Sequence, residues 1–473
     1  PKTETQAMIV MKFGGTSVED APSIERVAEI IRARLSLKPV IVVSAMGKTT
    51  SKLLQAAESS AAGDNRTTLG IVADLKTRHL SEARRLVRNS NGREVFPLID
   101  QHFDELKKLL EGLAILGDVP PRGLDKILAY GELLSSAVLT DALSERGIQA
   151  RLVDARELIK TDDRYGSASP LFELTNPKIR ESILPLVESG IVPVIQGFIG
   201  SSREGATTTL GFEGSDYSAT IIGAALDASD IQIWKDVSGL MTADPQVFAG
   251  ARTVKVCSFA EAADLTFFGA KVLHPKAIHP AARRNIPVHI YNSRQPAAQG
   301  TTITADAPPC ANLIKSIAYK RPITIINATA SSTADGSRFV SANDLLRAFV
   351  DTLAKRRIQP LITSVSASNV VLAIDSRELR HGGRDLMEGV SNFGSATAEP
   401  GRAIISMVGE GVRSEPSLVG RVFGAIDDAE LGLILHGSSP ITMSFVVAEE
   451  DVERVIARLH GVFFDQLDPQ VFK

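Results

Sequence analysis

Cysteine is nearly missing: Cys257 and Cys310 are the only two in 473 residues. Without CxxC spacing they make neither a disulfide framework nor a thiolate metal site, and the chain reads as one built for a reducing, cytoplasmic setting. Charge of one sign is not concentrated. The 52 basic and 55 acidic side chains leave a formal net charge of −3 with no long run of Lys and Arg, which excludes a general electrostatic grip on nucleic acid. Long apolar runs are absent too. Stretches such as 40–43 and 191–195 fall far short of the roughly 20 residues that span a bilayer, so no membrane segment is expected. The polar lead into residues 8–11 has no signal-peptide core. What is present is ordinary: 44% hydrophobic and 23% charged residues fill normal cores, and at roughly 150 residues per domain the length suggests about three domains.

From residue 8 to about 303, short strand-like runs alternate with amphipathic helical stretches, the pattern of a largely parallel sheet covered by helices. Strands are expected at 9–11, 40–43, 191–195, 231–234 and 287–291. Asp20 and Pro22 suit a helix start, and Ile24, Val27, Ile30, Ile31 and Leu35 then recur on one face. A second long helix is expected after Gly123, carried by Ile127, Leu128, Leu134 and Val138 to Leu143 and ended by Gly147. A polar, proline-marked linker at 304–312 precedes a region where one pattern occurs twice. Strand 323–326, helix 343–355 and strands 360–363 and 370–374 form the first copy. Strand 403–408, helix 418–427, strands 433–435 and 443–447 and helix 449–459 form the second. Two βαββαβ-type units follow, each too small to bury both sheet faces, so they should pair side by side or across a dimer.

The segment from Lys12 through Phe13, Gly14, Gly15 and Thr16 to Ser17 lies directly between the first strand and the first helix. Its two glycines permit a tight turn and close backbone approach, amides and a helix N-terminus attract anions, and Lys12 adds a point charge, which makes a phosphate site. A plain strand-to-helix turn is the other reading. It is not a Walker A loop: Gly47, Lys48 and Thr49 supply the right ending, but Val42 occupies the required first glycine. No protein-kinase signature occurs. His274 and His279 are not expected to bind a metal, because Pro275 and Pro280 should break the helix such a pair needs. Trp234, the only tryptophan, should be core or cleft wall.

Six ordered strings, KFGGTS, VVSAMGKTT from Val42, YGELLSS from Tyr130, QGFIG from Gln196, TTTLG with GSDYSA from Thr207, and FFGAKVLHP from Phe267, resemble the aspartokinase family over about 300 residues, and the C-terminal pair resembles its ACT domains. The resemblance implies a three-layer α/β amino-acid-kinase fold with a largely parallel sheet at 1–305, followed by ferredoxin-like ACT domains at 306–395 and 396–473. It implies transfer of the ATP γ-phosphoryl group to the side-chain carboxylate of L-aspartate with Mg²⁺, the first step toward lysine, threonine and methionine. An end-product amino acid would act at the ACT pair, and the chain would form a homodimer or higher homo-oligomer. A carboxylate acceptor is already ionised, so it needs no general base; it needs cations and amides around the transferring group. No catalytic His is expected.

By the same resemblance, Lys12, Asp216 and Lys271 are catalytic, with both lysines on the phosphates. Gly14, Gly15, Lys235 and Asp236 join Lys12 and Lys271 in holding ATP, while Ser44, Thr50, Glu132, Phe198 and Ser215 hold the substrate, Glu132 and Asp216 serving its α-amino group. The plainer alternatives are an exposed loop lysine for Lys271, a surface acid for Glu132 and a helix cap for Asp216. Several positions depart from the family: Lys235 stands where Thr is common, Met241 for Tyr, Gln246 for Arg, and Pro360 for an Asp frequent in lysine-sensitive relatives. The polar loop 331–338 is longer than usual. Phe212 occupies the place of an Arg that clamps a substrate carboxylate, and neither Phe212 nor Glu213 can replace it. Arg203 or Lys48 would then take over, or the substrate is another acid such as glutamate or an acylated glutamate. A sensor with a decayed kinase half is the remaining alternative.

Overall fold

Strands at Ile9–Phe13 (β1), Pro39–Val43 (β2) and, later, Val192–Gln196 (β5) are buried at every residue. Continuous burial of this kind requires cover on both sheet faces, the environment of a parallel α/β sheet. The computed structural model describes residues 8–87, 94–270, 273–331, 340–356, 358–381, 383–391 and 393–473. It divides into two units, one running to Leu240 with Thr253–Ala263 and the chain up to Pro308, the other made of Met241–Arg252, Asp264–Ala270 and Pro309–Lys473.

In the first unit the remaining strands are β3 (Ala150–Val153), β4 (Lys160–Thr161), β6 (Ile199–Ser202), β7 (Thr207–Thr209), β8 (Asp230–Lys235), β9 (Val256–Ser258), β10 (Val288–Asn292) and β11 (Thr301–Thr304). Eight of the strands β1 to β11 form a sheet in the order β3-β5-β2-β1-β8-β10-β11-β9, parallel throughout except for β10 with β11. Strands β4, β6 and β7 make a small second sheet. The helices are α1 (Ala21–Arg32), α2 (Thr49–Ala61), α3 (Asn65–Leu86), α4 (Val95–Leu116), α5 (Pro121–Glu145), α6 (Ala155–Leu158), α7 (Phe172–Glu188), α8 (Gly214–Leu226) and α10 (Pro275–Arg284), while α9 (Phe259–Phe267) is divided between the two units. Helix α8 packs on β1 and β8 together with α7 and α10, while α5 packs on β2, β3 and β5 and gathers α1 to α4 around it.

The α1 start is as expected, with Asp20 capping Ser23 N at 2.9 Å. Three expectations shift. Helix α1 stops at Arg32, so Leu35 opens a short 3-10 turn and is half-exposed instead of continuing the buried face. Helix α5 begins at Pro121, before Gly123, because a proline in the first turn lacks only an N–H that has no helical partner anyway. Helix α10 also runs through Pro280, with His274 as its N-cap. Pro275 sits at the first position, where its missing N–H has no helical partner, and the helix continues through Pro280 despite the lost bond and the crowding of its ring, so the helix survives the residues expected to break it.

In the second unit a six-stranded antiparallel sheet has the order β13-β14-β12-β15-β17-β16, made of β12 (Ser316–Ala330), β13 (Ile362–Val365), β14 (Asn369–Asp375), β15 (Gly394–Val408), β16 (Leu433–His436) and β17 (Thr442–Ala448). Its helices are α11 (Ala342–Arg356), α12 (Gly383–Val390), α13 (Ser417–Ala425) and α14 (Val452–Phe463). Phe349, Leu345, Leu386 and Val390 close one core against Ile326, Leu372 and Ile374. The two copies thus lie side by side in one sheet, joined by 15-residue β12 and β15. The division expected at 395 falls inside β15. The expected linker ends in structure, since Asn312 donates to the carbonyls of Phe463 at 2.7 Å and Gln466 at 2.6 Å. Of the loop 331–338, residues 332–338 lie outside the described residues.

Candidate active site

Neighbours of β1 lead to β2 and β5 on one side and to β8 and β10 on the other, so the crossover direction reverses between β1 and β8. The crevice beyond the carboxyl ends of those two strands is where open α/β sheets bind ligands. Lys12 is the fourth residue of β1, inside the strand and not in the glycine turn where the sequence placed it. Its register partner on β8 is Ile233, and Lys235 lies two residues beyond Ile233. Side chains alternate along a strand, so both ammonium groups emerge on the same face, the one covered by α8.

They meet there on Asp216. Lys12 Nζ is 2.5 Å from Asp216 Oδ1 and Lys235 Nζ is 2.8 Å from Oδ2, with Glu213 Oε1 a further 3.7 Å from Lys235 Nζ. Burial alone would raise the Asp216 carboxyl, but Lys12 and Lys235 outweigh it and hold the group below the usual carboxylate range. Burial would pull the Lys235 ammonium down, and Asp216 and Glu213 reverse that. Glu213 itself is raised, by burial first. Removing one member of such a buried pair typically costs about 3–5 kcal/mol. Asp216 is not the cap of α8: that position belongs to Glu213, in the left-handed region at φ 54° with no side-chain cap bond, and Asp216 stands in the first turn. The positive end of the α8 dipole adds to the same anion-attracting point.

Beside this cluster, Glu132 on α5 is buried, and its Oε1 accepts from Ala45 N at 3.0 Å. Its Oε2 has no hydrogen-bond partner among the described residues. Burial pushes the Glu132 carboxyl up to about 8, against smaller opposing effects from the Ala45 N–H and Lys12. A surface helical acid is thereby ruled out. Ser44 and Ala45 continue from β2, and the Ser44 carbonyl accepts from Ser135 at 2.7 Å. Thr50 lies against Gly131, where a Cβ would be 3.5 Å from Thr50 Oγ1. Gly15 approaches the same segment so closely that a Cβ on it would lie 2.9 Å from the Ala45 carbonyl. Gly14 N donates to the Trp234 carbonyl at 2.9 Å, tying the glycine turn to the end of β8. Phe198, at φ 68°, donates its N–H to Ser218 Oγ at 2.9 Å, and Ser215 fills the space beside Gly197, where a Cβ would be 2.6 Å from the serine Cβ.

The structure therefore brings Lys12, Lys235 and Asp216 together, with the substrate-site candidates Ser44, Thr50, Glu132, Phe198 and Ser215 on the segments around them. Asp236 is exposed, and Lys271 lies outside the described residues. Met241 and Gln246 belong to the second unit, where the Met241 carbonyl accepts from Ser316 at 2.7 Å. Phe212 is 82% exposed. Arg203 and Lys48 are also exposed. Trp234 is core, stacked on Phe13 and in tilted contact with Tyr291. The part of Glu213 was missed by sequence reasoning. Its only signal was its place one turn before Asp216, and that says nothing without the strand register that brings Lys235 alongside.

Residues 7–292 match the amino acid kinase family, and residues 405–463 match the ACT domain. Across 98% of its length the chain is 34% identical to the chloroplastic aspartokinase 3 of Arabidopsis thaliana, covering 83% of that protein. It is 31% identical to the lysine-sensitive aspartokinase 3 of Escherichia coli, covering 97% of this chain and 99% of that one. The chain belongs to the aspartokinases. As an aspartokinase it carries the α/β amino acid kinase fold, its mostly parallel sheet followed by an ACT region. The crystal structure of E. coli aspartokinase III in complex with aspartate and ADP matches it with a TM-score of 0.86 at 30% identity, over 97% of this chain and 100% of that one.

Proposed function

We propose that this aspartokinase transfers the γ-phosphoryl group of ATP to the side-chain carboxylate of L-aspartate, giving 4-phospho-L-aspartate. The observation that carries the reading is the buried Asp216 held between Lys12 and Lys235, with the orphaned Glu132 Oε2 beside it. Charge developing on a transferring phosphoryl group is stabilised by preorganised cations and amides. Lys12 and Lys235 supply the cations, Asp216 fixes both ammonium groups, and the first turn of α8 supplies amide dipoles. The Gly14 and Gly15 turn lets a nucleotide approach the backbone where a Cβ would intrude. Glu132 Oε2 is placed to accept from an α-ammonium group, and Ser44, Thr50, Phe198 and Ser215 would frame the rest of the acceptor. Lys271 and Asp236 keep their proposed nucleotide roles on the resemblance alone. Mg²⁺ would enter on the nucleotide's phosphates, its usual mode; among the described residues no cluster of three or more His, Cys, Asp or Glu side chains is placed to hold a metal.

The catalytic domain is proposed as 1–305. We read the rest as two ACT units, the first held between strand segments of the second, and propose that an end-product amino acid binds there. The E. coli relative is lysine-sensitive by name, which makes lysine the first effector to test. A homodimer through this region is likewise proposed, and so are a place at the head of lysine, threonine and methionine synthesis and a cytoplasmic setting; the Arabidopsis relative is chloroplastic. Among the described residues no helix is long and apolar enough to cross a membrane. Hydroxamate formation with ATP, Mg²⁺ and a panel of aspartate, glutamate and N-acylglutamate tests the acceptor. Product with aspartate alone is expected. Product only with another acid would overturn the assignment, and binding without turnover would favour the sensor.

A further inference from the structure

Seven residues before Glu132, two helical turns back and so on the same face of α5, stands Asp125, a carboxylate 1% exposed. No cation pairs with it among the described residues. Its oxygens are instead engaged by two loops. Gly166 N reaches Oδ1 at 3.0 Å and Oδ2 at 2.9 Å, Thr209 N reaches Oδ2 at 2.9 Å, and Thr209 Oγ1 donates to Oδ1 at 2.8 Å. A buried carboxylate without a counter-charge is costly unless donors surround it. Here Thr209 comes from the strand that leads to the active site, and Gly166 from a loop bonded to that strand through Ala168 N.

Thr209 closes β7, and the chain from it runs directly into the turn 211–216 that carries Ser215 and Asp216. Leu210 N donates to the Phe198 carbonyl at 2.8 Å, and Ala168 N to the Thr209 carbonyl at 2.8 Å. Gly211, at φ 87°, lies beside the Gly166 segment, where a Cβ would be in ordinary van der Waals contact with the Gly166 carbonyl at 3.4 Å. The entry of the turn is thus fixed on Asp125 directly by Thr209 and indirectly through the Gly166 loop, while Glu132 on the same helix fixes the opposite side of the crevice through Ala45.

We infer that Asp125 is a positioning residue for the phosphoryl acceptor: through Thr209 and Gly166 it sets the distance between the turn 211–216 and Glu132. It touches no reacting atom. Asp216, also on that turn, is held separately by Lys12 and Lys235, so loss of Asp125 should act mainly on acceptor binding through Ser215 and much less on the nucleotide side. This rests on aspartate being the acceptor, which wild-type turnover tests first; the ratio of variant to wild-type KM then tests Asp125 separately, with whichever acid the wild type accepts.

The test compares Asp125→Asn, Thr209→Val and Thr209→Ser by steady-state kinetics in both substrates, with thermal melts alongside. Asparagine keeps the shape but turns one acceptor into a donor facing N–H and O–H groups. We expect Asp125→Asn to raise the acceptor KM at least tenfold, equivalent to about 1.4 kcal/mol, with the ATP KM within about twofold of wild type, a factor worth only a few tenths of a kcal/mol. Thr209→Val should raise the acceptor KM in the same selective way, and Thr209→Ser, which keeps the hydroxyl donor, should restore it. A lowered Tm with both KM values unchanged would make Asp125 a structural anchor only and overturn the inference, as would equal rises in both. If Asp125→Asn does not fold, the valine and serine pair decides: no difference between them in acceptor KM refutes it.

Discussion

Glu132→Gln separates what this side chain contributes to binding from what it costs the fold. The glutamine keeps an oxygen for Ala45 N but carries no charge. With its carboxyl raised to about 8, roughly three-quarters of wild-type molecules hold the Glu132 proton at about pH 7.5. An α-ammonium arriving at Oε2 favours the ionised form, so aspartate binding should release most of that proton. Calorimetry in two buffers of different ionisation enthalpy reads this directly: the apparent heat should differ by about 0.7 proton's worth in wild type, and the glutamine variant should show weak binding with no buffer dependence. The stability arm has its own sign. An acid whose folded pKa is raised keeps a proton that the unfolded chain has lost, so raising pH from near 4.5 through about 8 destabilises the native state. Between about pH 5.5 and about pH 8.5 wild type should lose on the order of 3 kcal/mol relative to Glu132→Gln, and the Tm gap should widen by several degrees. Wild-type heats independent of buffer, together with a Tm difference that does not change with pH, would refute both the perturbed carboxyl and its role at the ammonium.

The other predictions concern single side chains of the same site and the ACT region. Lys12→Ala should cut turnover by roughly 10²-fold or more, the loss usual for one preorganised transition-state charge, with the folded state retained; near-normal kcat would remove Lys12 from the chemistry. Phe212→Arg should lower the KM for aspartate, because position 212 is 82% exposed and has room for the longer side chain; an unchanged KM would show that the acceptor does not reach it. Lysine, threonine and methionine titrated into the full-length enzyme should give one binding isotherm paired with reduced turnover, linked through a reciprocal coupling free energy. Silence for all three at full activity would leave the ACT region a role in assembly only.

How much of this was legible in the sequence depended on the range of the interaction. Strands β1, β2, β5 and β8 were readable because a strand buried on both faces is a short apolar run bounded by turns, β10 because its buried and part-exposed residues alternate, and α1 because Asp20 and Pro22 mark its start. Lys12, Asp216 and Glu132 could be singled out, but their physical states could not. Whether Glu132 is a solvated helical acid or a buried one near pH 8 depends on α5 lying under β2, 87 residues away in the chain from Glu132 to Ala45. The pairing of Lys235 with Asp216 depends on the β1 and β8 register, which no local pattern encodes. Proline misled at α10 for a related reason: Pro280 costs a hydrogen bond and the crowding of its ring against the carbonyl four residues back, and packing of α10 on α8 outweighs both.

The C-terminal region shows the same limit at the level of topology. Two copies of one pattern, met in order, suggest two domains in order. The sheet is built otherwise, because β12 continues through both copies: residues Ser316 to Lys320 pair with β15 up to Val408, beside β17, while Ile323 to Thr329 pair with β14. A register shift at Lys320 to Ile325 separates the two stretches and lets one long strand serve two halves whose helices pack separately. Burial made only the inner part, 323–326, stand out in sequence, since Ile323, Ile325 and Ile326 are all buried whereas Lys320 and Arg321 interrupt the apolar run before them. A ligand seated in either half would therefore act on strands that the other half shares, so effector binding and the pairing of the two copies belong to one hydrogen-bonded sheet.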